Sequence, residues 1–89
     1  MKLIFCTKCK DVVAIRPQKR SCFCGSSWGQ YLSSVDAVFG GEAVPLGFAN
    51  YSFLEALQDQ PDESPGTVFT AFVIEKNCPT FRRDAETKK

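Results

Sequence analysis

Cys6, Cys9, Cys22 and Cys24 constrain this chain more than any other feature. They form C-x-x-C, twelve intervening residues, then C-x-C. Four thiolates delivered as two short clips are how a chain builds a tetrahedral sulfur site, with Zn²⁺ as the expected ion. Spacing alone does not separate zinc from a mononuclear iron or an iron–sulfur centre, which use the same ligands. With all four positions filled by protein, the expected site is closed and structural, not catalytic.

At 89 residues the chain is expected to be one domain, spanning 1–81 with a flexible charged tail at 82–89. A core of this size supplies little net stability, so a metal staple is expected. Cys6 follows Met1-Lys2-Leu3-Ile4-Phe5 directly, which leaves no room there for a signal-peptide apolar run. The expectation is a reducing, cytoplasmic setting in which close Cys pairs hold metal rather than disulfides. No apolar run is long enough to span a bilayer. Charge is unevenly placed: residues 1–33 carry +5, residues 34–75 carry −7 and residues 76–89 carry +3. Four thiolates on Zn²⁺ add a centre of −2, since the ligands bind deprotonated. The result is a weak basic patch beside an acidic half, unlike a dedicated nucleic-acid binder.

Asp11–Arg16 is β-branched and reads as a strand, as does Trp28–Leu32. Gly25 sits where the second clip needs a tight turn. Val35–Phe39 and Glu42–Phe48 flank Gly40-Gly41, a hairpin signal, and Pro45 predicts an edge strand or a kink in the second arm. Asn50–Leu57 is the one convincing helix: Ser52 and Glu55 form S-x-x-E, a capping box, and Phe53, Leu54 and Leu57 give it an apolar face. Thr67–Ile74 is the strongest strand. Both of its faces are apolar, so it is expected to be central or to face a partner. Cys78, the fifth cysteine, reads as a partly buried small side chain.

The chain has no His, the commonest general base, and its acids are scattered, so no enzyme activity is expected. Two binding readings remain. In the first, the aromatic content exceeds what so small a core hides, and the protein acts by stoichiometric binding. Its best site is Pro45–Tyr51, with Phe48, Asn50 and Tyr51 leading into a helix N-terminus, and Arg16, Lys19 and Arg20 supply charge for a phosphorylated, nucleotide-like ligand. In the second, Lys8, Lys10, Arg16, Lys19 and Arg20 contact nucleic-acid phosphates while Phe23, Trp28 or Tyr31 stacks on bases. The acidic half favours the first.

Residues 3–33, with Cys6, Cys9, Cys22 and Cys24 at the ligand positions, resemble a zinc ribbon; the second clip departs from the commoner C-x-x-C-G. The chain as a whole looks like the small zinc-ribbon proteins of phage and prophage genomes. That resemblance implies a host-cytoplasmic accessory protein that sequesters or blocks a host protein or a nucleotide signal, with a homo-oligomer allowed. The expected fold class is α+β: an N-terminal zinc ribbon extended by a small, mostly antiparallel sheet with one short helix.

Overall fold

A computed structural model describes residues 1–84 and shows eight strands and one helix, an α+β chain. In chain order these are β1 (Lys2–Cys6), β2 (Val12–Ala14), β3 (Arg20–Ser21), β4 (Ser27–Tyr31), β5 (Ala37–Gly41), β6 (Ala43–Phe48), α1 (Asn50–Gln58), β7 (Ala71–Val73) and β8 (Phe81–Arg83). They form two four-stranded sheets, ordered β2-β1-β6-β7 and β3-β4-β5-β8. Every pairing is antiparallel except β5 with β8. No described helix is long and apolar enough to cross a membrane.

The core lies between the sheets. Ile4, Cys6, Val13 and Ala43 come from the first sheet, Ala37, Phe39 and Phe81 from the second, and Ile15 and Cys22 from their flanks. Phe39 and Phe81 meet edge to face with centroids 5.1 Å apart, a geometry favoured by the ring quadrupoles. Gly29 makes the close approach possible, because a Cβ there would lie 2.4 Å from Ile15 Cδ1.

Gly40-Gly41 does not close a hairpin. β5 pairs with β4 and β8, and the chain turns at Gly41-Glu42-Ala43 from one sheet into the other. Gly41 has φ +73°, and a Cβ on it would stand 1.8 Å from the Ser26 carbonyl oxygen. The glycine therefore serves a corner between sheets. Arg83 clamps that corner by donating to the carbonyls of Gly41 (2.8 Å) and Ala43 (3.1 Å).

Pro45 sits in an inner strand, between β1 and β7, rather than on an edge. Its carbonyl accepts from Ile74 N at 2.9 Å, just past the end of β7, so its missing N–H costs only the last rung of that ladder. The predicted long strand shrinks to Ala71–Val73 and lies at the sheet edge, not its centre. Thr70, next to it, is diverted to the helix: its carbonyl accepts from Ala49 N and its N–H donates to Ser52 Oγ at 2.8 Å. That bond also explains why the capping box is not made. Ser52 lies inside α1, whose N-cap is Ala49 with no side-chain cap. Leu54 and Leu57 are exposed, and Phe53 alone joins other aromatics, Phe48 and Phe69, with centroids 4.8–5.2 Å apart. Arg82 and Arg83 belong to β8, so ordered structure passes the boundary expected at residue 81; the rest of the expected tail, 85–89, lies outside the described residues.

Candidate metal centre

β1 ends at Cys6, and the chain then turns tightly through Cys9. Lys10 N donates to the Cys6 carbonyl at 2.9 Å, and Lys10 has the left-handed φ of 67°. The second clip repeats the arrangement with one residue fewer: Gly25 N donates to the Cys22 carbonyl at 3.1 Å, and Gly25 has φ 80°. Each clip therefore closes with a left-handed residue directly after its second cysteine, a glycine in one case and a lysine in the other.

The clips converge. The Sγ atoms of Cys6, Cys9, Cys22 and Cys24 all lie within 4.8 Å of one another. Cys6–Cys24 is 3.8 Å and Cys22–Cys24 is 3.6 Å. A regular tetrahedron with metal–sulfur bonds of zinc length has edges of about 3.8 Å. The cluster can therefore hold a metal ion with small closing motions. Backbone amides already face the sulfurs: Lys8 N and Cys9 N donate to Cys6 Sγ at 3.4 Å each, and Ser27 N to Cys22 Sγ at 3.3 Å. Such donors favour thiolate over thiol.

The environment separates the four thiols. Cys6 is buried, yet its pKa is lowered to about 6, first by the Ser27 hydroxyl, with the Cys9 and Lys8 amides adding to it against the opposing effect of burial. The Ser27 hydroxyl acts by proximity, since Ser27 Oγ is itself buried with no partner in hydrogen-bond geometry. A buried hydroxyl with no acceptor is costly, and a Cys6 thiolate is the acceptor that would satisfy it. Cys24 is also lowered, chiefly by the Ser26 hydroxyl and amide, while burial raises Cys9. The donor set and the orphaned hydroxyl both fit a thiolate-bound cation.

Three residues outside the quartet fasten the clips to each other. Asp11 O accepts from Cys6 N at 2.9 Å, while its carboxylate Oδ2 accepts from Phe23 N at 2.8 Å. Glu42, at the corner between the sheets, donates its N–H to Ser26 O at 3.0 Å, and its carbonyl accepts from Thr7 N and Oγ1 at 3.2 Å each. Ser27 completes the set. Of these, only Asp11 had a readable signal, as a turn-forming acid directly after a clip. Ser27 and Glu42 gain their roles from register and the corner, which sequence patterning does not show.

The other predicted residues divide into two groups. Lys19 lies over the Trp28 ring, 4.5 Å from its centroid, and Arg20 Nη1 donates to Ala14 O at 3.3 Å. Arg16 and Arg20 border an open depression of about 460 Å³ with Pro17 and Gln18. Tyr31 is half-buried, with Lys2 Nζ 5.4 Å from its ring centroid. In the second group, Phe48 is held in the aromatic trio, Asn50 Oδ1 accepts from the N-terminal ammonium at 2.9 Å, and Tyr51 stands exposed. Cys78 is half-buried against the core with its Sγ 3.5 Å from Thr80 Oγ1, outside the sulfur cluster. No family model matches the chain, and neither a curated protein nor a solved structure matches it.

Proposed function

We propose that the protein is a non-enzymatic binding module, stapled by a structural Zn²⁺ on Cys6, Cys9, Cys22 and Cys24, that acts by capturing a protein partner on the β7 edge of its first sheet. The observation that carries this reading is the composition of that edge. β7, Ala71–Val73, has no charged residue, Val73 is 67% exposed and Phe72 is half-exposed, and the uncharged segment leading into it leaves Val68 91% exposed. Sheet edges in soluble proteins are ordinarily guarded by charge, proline or a bulge, because their free N–H and C=O groups recruit other strands. An unguarded apolar edge suits strand addition, in which backbone bonds give affinity and alternate side chains give specificity.

The face beside the edge supports the same reading. The register places Leu3, Phe5, Val12, Ala14, Val44, Leu46, Phe48, Ala71 and Val73 on one side of the sheet, with no polar residue among them. A strand edge fits a peptide better than a nucleotide, so of the two targets implied by the phage-protein resemblance, a host protein is favoured. The metal is read as zinc because Zn²⁺ is the usual ion of closed four-thiolate structural sites.

The test is affinity capture from host lysate with the metal-loaded protein and with Val73→Lys, which puts a charge on the edge. A protein retained by the wild type and lost by the variant is the expected result. Equal retention by both, or no partner for either, overturns the reading. A second reading, nucleic-acid binding, draws on Lys19 stacked over Trp28 beside Arg16 and Arg20, a cation–aromatic surface of the kind that holds single strands. Retention on single-stranded DNA at low salt, lost as salt rises, tests it.

A further inference from the structure

The corner where the chain passes from one sheet to the other borders a half-open cavity of about 490 Å³. Its walls are Phe39, Ala43, Val44, Pro45, Val73 and Ile74, and its two polar lining residues are Lys76 and Arg83, both exposed. Glu42, Glu75 and Asp84, the acids adjacent to lining residues in the chain, are not among the residues that line it. The volume falls within the usual range for small-molecule sites, and such sites pair apolar walls with a few fixed polar groups.

Arg83 is such a group. Its guanidinium donates to the Gly41 and Ala43 carbonyls, and its Cζ lies 5.0 Å from the centroid of the Phe39 ring. Those contacts fix the cation in place and use two of its five N–H donors. One N–H remains on each Nη, with that of Nε beside them, and these can donate to a carboxylate. Lys76 makes no hydrogen bond or ion pair among the described residues, so a second positive charge stands at the same cavity without a partner. Apolar walls with cations and no anion have one complementary occupant, an organic anion with an apolar body.

We propose that this corner cavity binds a small amphipathic monocarboxylate, its hydrocarbon body against Phe39, Pro45 and Ile74 and its carboxylate on Arg83 and Lys76. The site is separate from strand addition at β7 and does not depend on that reading, although Val73 borders both.

The test is titration of the isotope-labelled, metal-loaded full chain with octanoate, followed by amide and methyl shifts. The expected result is saturable shifts centred on Phe39, Ala43, Val73 and Ile74. Octanol should bind measurably more weakly, and inorganic phosphate should not reproduce the shifts. Lys76→Gln, at an exposed position, should weaken octanoate about threefold, as an exposed ion pair would, and Arg83→Gln by roughly tenfold or more, as a fixed charge-assisted pair would. Because Arg83 also clamps the corner, Lys76→Gln carries the charge test if the Arg83 variant unfolds. No saturation within octanoate's solubility, octanol binding as tightly as octanoate, unchanged affinity in Lys76→Gln, or shifts centred elsewhere would each overturn the proposal.

Discussion

The sulfur end of the molecule and the β7–α1 end are built on opposite terms. At the sulfur end Cys6, Cys22, Ser27 and Ala43 are buried, and Asp11, Glu42 and Arg83 tie loops, corner and strands together through backbone groups. At the other end α1 has no buried residue, β7 is exposed along its whole length, and Phe48, Phe53 and Phe69 form the aromatic link between helix, loop and sheet. Local stability follows the density of buried contacts. Opening should therefore be rare around the clips and frequent at α1. The contrast also separates roles: one end spends its chemistry on holding shape, and the other leaves apolar surface uncovered.

The largest effects should come from breaking the held end. Cys22→Ser removes one ligand, and metal binding in zinc-finger peptides is worth about 10–16 kcal/mol. The variant should lose its metal and its cooperative melt, read by metal analysis and by calorimetry; a variant that keeps both would sink the structural-metal reading. Gly41→Ala comes next. It forces a Cβ to 1.8 Å from the Ser26 carbonyl at a positive φ, so it should destabilise by roughly 3 kcal/mol in denaturant titration, combining left-handed strain with displaced backbone.

How far these roles were legible depends on the range of the interaction behind each. The clips were readable because spacing alone brings paired cysteines together, and Gly25's turn is local as well. β2 and β4 were readable from β-branched and aromatic runs. The hairpin expectation at Gly40-Gly41 failed because the same glycine signal serves a corner set by Ser26, fifteen residues away. The capping box at Ser52 failed because Thr70 claims the hydroxyl. Pro45 misled because its cost depends on where its neighbour β7 stops, which is a property of the sheet. The apolar character of 67–74 was plain, but its position at an edge follows from topology alone.

A smaller effect tests the shell around the sulfurs. Ser27→Ala removes the largest influence lowering the Cys6 thiol. A group near it that orients and activates a ligand is worth about tenfold or more in metal affinity, so competition with a chelator should show a loss of that order. The sign with pH follows from the same lowering. The Cys6 thiol is lowered from an ordinary value of 9.0 to about 6 in the fold. Its contribution to stability is fully present above the unfolded value and is lost as pH falls through the folded one. Below about pH 6 protons should compete with metal for the Cys6 thiolate, so release belongs to that acid range, and in Ser27→Ala the release midpoint should move to higher pH. An unmoved midpoint would assign the lowering to the amides alone.

The smallest effect on stability should come from the open end, and it is the one that sharpens the contrast most. Val73→Lys changes a side chain that is already two-thirds exposed, so the midpoint of denaturation should stay within about 0.5 kcal/mol of the wild type. The same change should cut partner capture, because an edge lysine opposes strand addition. Affinity capture with the two proteins, beside their denaturation curves, reads both quantities. A large loss of stability would show that β7 is held by burial within the monomer. Unchanged stability with unchanged capture would show that the edge is not the surface through which the protein meets its partner.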